Sequence, residues 1–216
     1  VADHPFISRS AFSGLAVSPS TGRGVIANDR DGLGIATVIG GRGQIAALTQ
    51  RVRERFGIDL PHGPYRAAAG GVAFAGTGPE TWLATQEQGG NNFAASLKVE
   101  IGSAAAVSDH SDGYAILRLT GPKLRDALAK IIPIDVDPRA FNPGDVAATI
   151  ASHMGATLWR IEDAPDGAPV FEIAVFRSLA GSFWYSLSES AAEFGLLVTQ
   201  SEQIAPIAHQ AFRACT

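Results

Sequence analysis

Cysteine is almost missing from this chain of 216 residues: Cys215 stands alone. That excludes an intramolecular disulfide framework and any four-thiolate zinc site. Long apolar runs are missing too, and without 18 consecutive apolar residues no transmembrane helix is predicted. Segment 1–21 opens on Asp3, His4 and Pro5 and lacks the basic-then-apolar order of a secretory signal. It reads as an extended arm in which Phe6, Ile7, Phe12, Leu15 and Val17 are scattered among Ser, Gly and Pro. Positive charge is short as well. Seventeen Lys and Arg stand against 21 Asp and Glu, a net charge of −4 that offers nucleic acid no basic field. Charged residues make up 18% of the chain, below the roughly 25% usual in soluble proteins. These absences predict a compact cytoplasmic protein with no membrane or nucleic-acid partner and a surface poor in charge.

Catalytic signatures are equally sparse. The chain has no G-x-x-x-x-G-K-[ST] loop, no G-x-S-x-G elbow and no H-E-x-x-H pair. His4, His62, His110, His153 and His209 are dispersed without metal-ligand spacing, so no metal site and no catalytic residue is assigned. Gly41-Arg42-Gly43-Gln44-Ile45-Ala46 has the G-x-G-x-x-A spacing that seats a pyrophosphate at a helix N-terminus. That fingerprint also needs a second parallel strand ending in an acidic residue about 20 positions on. Ile58-Asp59-Leu60-Pro61 is too short for it and is broken by Pro61, so the motif reads as a strand-to-helix turn. Arg51, Arg53 and Arg55 alternate along a predicted helix, which spreads them around it, and they read as a solvated face.

What is present is a duplication. Asp31-Gly32 opens an apolar run that ends at Gly40-Gly41 before a helix pattern, and Asp112-Gly113 opens another that ends at Gly121-Pro122 before a second helix. Later, Leu83-Ala84 matches Ile173-Ala174, and Phe93, Ser96 and Leu97 match Phe183, Ser186 and Leu187. Each half reads as strand, helix, two strands, helix. In the first, Val25–Ala27 and Leu33–Ile39 form the strand region. Ile45, Leu48, Val52 and Phe56 fall on one helical face, and Gly57 ends that helix in a left-handed conformation. Val72–Ala75 and Trp82–Gln86 make a hairpin, and Asn91 or Asn92 caps a helix that buries Phe93 and Leu97. In the second half, Tyr114–Leu119, Val146–Ile150, Thr157–Ile161 and Val170–Phe176 are strands. Pro122 suits the first turn of a helix striped by Leu124, Ala127, Leu128 and Ile131, and the last helix presents Phe183, Leu187, Ala191 and Phe194 before Gly195. The expected architecture is α+β, with mixed and antiparallel sheets carrying helices on one side. The expected boundaries are an arm at 1–21, halves at 22–105 and 106–197 that associate into one compact unit, and a tail at 198–216.

Three charges sit in the middle of apolar strands: Arg118, Arg160 and Glu172. Charges so placed either pair across a sheet or line a cleft or interface, and these three are the weak candidates for ligand contact. Trp184, beside the Phe183 and Leu187 stripe, is either core or covered by another chain.

Several stretches of the second half resemble a known family. They are Val107-Ser108-Asp109-His110-Ser111-Asp112-Gly113, Leu117–Leu128, Pro138-Arg139-Ala140-Phe141, Pro143-Gly144-Asp145-Val146, Thr157-Leu158-Trp159-Arg160 and Phe171–Trp184. Together they resemble the gamma subunits of heterotetrameric sarcosine oxidases, a family itself similar to the folate-binding domain of glycine-cleavage aminomethyltransferases. The resemblance runs over roughly residues 22–196. It implies a subunit without an active site of its own, contributing assembly and stability to a flavin-dependent oxidase that demethylates sarcosine to glycine. The implied partners are alpha, beta and delta subunits. FAD, FMN, NAD, tetrahydrofolate and zinc are implied in those partners and none in this chain alone. After His153-Met154-Gly155, where aminomethyltransferases carry catalytic acidic residues, this chain has Ala156-Thr157-Leu158-Trp159, so no catalytic residue carries over. The alternative reading is a stand-alone folate-binding one-carbon protein with Arg118, Arg160 or Glu172 at the wall of a pocket between the halves.

Overall fold

The structure is a computed structural model that describes residues 9–14 and 22–199. Phe6, Ile7, Leu15, Val17, His4, His209, Cys215 and the tail beyond Thr199 lie outside the described residues. The chain is α+β. Its first half runs β1 (Val25–Asp29), β2 (Gly34–Gly40), α1 (Ile45–Phe56), β3 (Arg66–Ala69), β4 (Val72–Gly78), β5 (Thr81–Gln86) and α2 (Phe93–Ile101). The second repeats that order with β6 (Ala105–Asp109), β7 (Tyr114–Thr120), α3 (Leu124–Leu128), β8 (Val146–Ala151), β9 (Met154–Ile161), β10 (Val170–Phe176) and α4 (Ala180–Ala191), and β11 (Leu196–Thr199) follows. β3 in the first half, and β6 and β11 in the second, are strands beyond those the sequence pattern predicts.

The strands form two sheets, one ordered β11-β1-β7-β10-β9-β8 and the other β3-β4-β5-β2-β6. The order of elements repeats, with β2 antiparallel to β5 in one sheet and β7 antiparallel to β10 in the other. The strands do not sort by sequence half, however. β1 pairs with β7 and β6 pairs with β2, so the halves expected on either side of residue 105 exchange their leading strands. β11 then adds to β1 in parallel, while every other pairing is antiparallel.

Alternation along the strands builds three cores. In β7, Ala115, Leu117 and Leu119 face α3 and α4, packing with Phe183 and Leu187. Leu48 and Val52 of α1 and Leu97 and Ile101 of α2 cover the outer face of the five-stranded sheet, packing with Val38 and Phe74. Between the sheets lies a smaller cluster that includes Ile35, Leu83, Ile116, Trp159 and Ala174. The order of layers is therefore helices, sheet, sheet, helices. Trp184 is core rather than surface: it is buried in the α3–α4 layer and tilts against Phe12 at 6.3 Å.

The helix ends correct several expectations. Gly57 does end α1 at φ 67°, its N–H donating to the Arg53 carbonyl. Asn92 sits at the α2 N-cap without a side-chain cap bond, because a 3-10 turn at Gly90–Asn92 leads directly into the helix. Pro122 lies ahead of α3, whose N-cap is Lys123; Lys123 N–H donates to the Gly24 carbonyl, so β1 sets where that helix begins. α4 stops at Ala191, not at Phe194, because Phe194 and Gly195 offer their carbonyls to Gly24 and Val25 and start the β11 pairing. No helix among the described residues is long and apolar enough to cross a membrane.

Candidate functional site

The period of a strand decides which of the predicted charges meet. Arg118 of β7 and Trp159 of β9 stand directly opposite Glu172 of β10, one on each side. All three side chains project between the sheets, on the side of Ile116 and Ala174 rather than that of the helices. The Glu172 side chain is only 5% exposed. Its Oε1 accepts from Arg118 Nε at 2.9 Å and from Arg30 Nε at 3.1 Å, with Arg118 Nη2 in an ion pair at 2.7 Å, and its Oε2 accepts from Trp159 Nε1 at 2.7 Å. Arg30 comes from the turn between β1 and β2, and its Nη2 also pairs with Glu87, just beyond β5 of the other sheet. The chain of contacts Glu172–Arg30–Glu87 therefore ties one sheet to the other.

Arg66 on β3 completes the cluster. It lies opposite Ala75, whose side chain faces the space between the sheets. Burial lowers the pKa of its guanidinium; Glu172 and Glu87 oppose that shift, and Arg118 and Arg30 add to it. An arginine stays protonated at neutral pH through such a shift. Among the described residues the Arg66 guanidinium makes no hydrogen bond or ion pair, so the cluster is three guanidiniums around two carboxylates.

Both oxygens of Glu172 are engaged within the cluster, Oε1 by Arg30 and Arg118 and Oε2 by Trp159. A buried carboxylate held by opposed donors is a structural and electrostatic element, costly to disrupt because removing either side strands the other.

Arg160 does not join it. One residue beyond Trp159, it points to the opposite face of β9, where Leu158 packs toward the helices. There Nη1 donates to the Phe141 carbonyl at 2.8 Å and Nη2 to both oxygens of Asp163, at 2.8 and 3.0 Å, pinning the loops on either side of β8 and β9. Of the three candidates, two form one site and the third holds loops elsewhere. Arg30, Arg66 and Glu87 were not singled out in the sequence. Arg30 adjoins the Asp31-Gly32 turn that marks the repeat, and that position is the only signal the sequence offers for it.

The other candidates lie outside this cluster. Gly41-Arg42-Gly43 is a turn into α1, and β2 is flanked by antiparallel β5 and β6, so the parallel strand pair of a dinucleotide fold is not formed. Arg51 donates to the Ile101 carbonyl, Arg53 pairs with Asp59 and Arg55 pairs with Glu100. His110 packs on Tyr114 with ring centroids 5.5 Å apart, and His153 occupies the β8–β9 turn. Among the described residues no three His, Cys, Asp or Glu side chains group to hold a metal. On the six-stranded sheet an open groove of about 580 Å³ is lined by uncharged residues, with Tyr114 and Phe176 stacked at 5.0 Å along it.

Comparison with known proteins identifies the family. Two curated relatives, both named sarcosine oxidase subunit gamma, are similar to the chain. The one from Arthrobacter sp. is 33% identical over 131 residues, covering 59% of this chain and 62% of the relative. The one from Corynebacterium sp. (strain P-1) is 32% identical over 123 residues, covering 56% and 58%. The chain thus spans about three fifths of the length of each. In fold it is similar to a chain of the heterotetrameric sarcosine oxidase from Corynebacterium sp. U-96, solved with pyrrole 2-carboxylate, at TM-score 0.72 and 23% identity over 87% of this chain and 96% of that one. It is also similar to the glycine cleavage system aminomethyltransferase T from Bartonella henselae, at TM-score 0.61 and 13% identity over 83% of this chain and 48% of that one. The description "Sarcosine oxidase, gamma subunit family" matches residues 41–193, well over half of the sequence. The chain belongs to the sarcosine oxidase gamma subunit family.

Proposed function

We propose that this chain is the gamma subunit of a heterotetrameric sarcosine oxidase and contributes assembly and stability rather than chemistry. The family match over residues 41–193 carries the reading. The engagement of both Glu172 oxygens within the cluster supports the non-catalytic part of it, since the most buried carboxylate of the candidate site serves as a counter-ion to Arg30 and Arg118. In this reading the partners are alpha, beta and delta subunits in the cytoplasm. FAD, FMN, NAD, tetrahydrofolate and zinc reside in those partners, and the oxidation of sarcosine to glycine takes place there.

The test is affinity purification of the chain from its own cells, followed by native mass and visible absorbance. The expected result is a stoichiometric complex with larger chains showing flavin absorbance. Elution of the chain as a flavin-free monomer overturns the proposal.

A further inference from the structure

We propose that Arg66 and Arg118, at the rim of the space between the two sheets, form a binding site for a carboxylate group. The charge count leads to it. Three guanidiniums, those of Arg30, Arg66 and Arg118, surround two carboxylates, those of Glu87 and Glu172. One positive charge is left over at the partly exposed rim of the cluster.

The hydrogen bonds locate that charge. Glu172 is fully engaged by Arg30, Arg118 and Trp159, and Glu87 is paired with Arg30. Arg66 has no acceptor among the described residues, and Arg118 uses only Nε and Nη2, leaving Nη1 as a further donor. Both side chains are within reach of a ligand. Arg66 is half-buried, and the Arg118 side chain is 35% exposed although its donors run inward.

The ligand class follows from shape and charge. A guanidinium presents a planar fork of N–H donors that matches the two coplanar oxygens of a carboxylate. A single carboxylate also balances the one surplus charge, whereas a phosphate dianion leaves the cluster negative beside Glu87 and Glu172. The carboxylate is either that of a small free molecule or an acidic side chain of a partner subunit. The second source rests on the subunit reading above.

The experiment follows the reaction of Arg66 with phenylglyoxal by peptide mass spectrometry, with exposed Arg53 as the internal control. In the full chain, sodium acetate is compared with sodium chloride at equal ionic strength. In the complex, labelling is measured with and without prior amidation of the partners' carboxylates. Slowing of Arg66 labelling by about threefold or more in acetate, with Arg53 unchanged, identifies a site open to free carboxylates. Protection of Arg66 in the complex that amidation of the partners removes identifies a partner's side chain. Labelling of Arg66 that neither acetate nor amidation alters overturns the proposal. A chain that forms no complex overturns the subunit reading instead, and the acetate comparison then decides the site alone.

Discussion

Trp159 and Glu172 face each other across β9 and β10, and the indole N–H donates to the carboxylate at 2.7 Å. Both side chains are buried, so the bond excludes water and neither partner has a substitute. Trp159→Phe keeps an aromatic ring in the core between the sheets but leaves Glu172 Oε2 without its donor. The expected loss is about 1–3 kcal/mol, read as a lowered urea midpoint with an unchanged slope.

Glu172→Gln should cost more. The amide cannot neutralise Arg30 and Arg118, and two guanidiniums are left beside each other between the sheets. Breaking a buried ion pair from one side typically costs about 3–5 kcal/mol. Arg118→Met should cost less, because its side chain is 35% exposed and water screens part of the attraction. A urea titration that ranks Arg118→Met above Glu172→Gln in cost contradicts this account of the cluster.

Two glycines separate close packing from backbone conformation. A Cβ on Gly76 would lie 1.9 Å from the Gly63 carbonyl oxygen, and Gly76 N–H is itself tied to the Tyr65 carbonyl, so the strand cannot retreat. Gly76→Ala is expected to cost about 3 kcal/mol. Gly43, at φ 70°, has open space where its Cβ would stand, so Gly43→Ala carries only the left-handed backbone penalty of about 1 kcal/mol. Equal thermal shifts for the two variants would show that packing at Gly76 relaxes.

The pH dependence of stability should contain a term from Asp29. Burial raises its pKa above the ordinary 3.8, with the Ser10 hydroxyl bond opposing the shift. The native state therefore holds this proton to higher pH than the unfolded state does. The term is absent below pH 3.8, grows as the unfolded carboxyl ionises, and is complete above the native pKa, where it lowers stability. Asp29→Asn, which still accepts from Ser10, should remove that loss. Urea midpoints measured across the acid range should fall less steeply with rising pH in the variant than in the parent.

Legibility in the sequence followed the strength of local periodicity. The α1 stripe of Leu48 and Val52 and the β4–β5 hairpin are written in spacing and turn residues, and the structure places them there. β3 is Arg-Ala-Ala-Ala, a composition with little strand character, and it exists because β4 offers it an edge. β6 and β11 are short and are defined by their neighbours in the same way. At the site, charges in apolar strands singled out Arg118 and Glu172, and the register decides that they pair with each other. Arg30 and Arg66 were not, since the turn after β1 delivers the first and an unrecognised strand of the other sheet delivers the second. The opposite facing of Arg160 follows from alternation once the register is known, and register is a tertiary fact.

The exchange of β1 and β6 makes the two halves mutually dependent. A chain divided near residue 105 leaves each fragment holding a strand that completes the other's sheet, so neither fragment can close its own hydrogen-bonded ladder. Expressed separately, the fragments should stay aggregation-prone and regain structure only on mixing. Folding, too, must wait for distant segments, because β1 finds its neighbours only after β7 and β11 have been made. Through one traded strand on each side, the two similar halves complete each other's sheets.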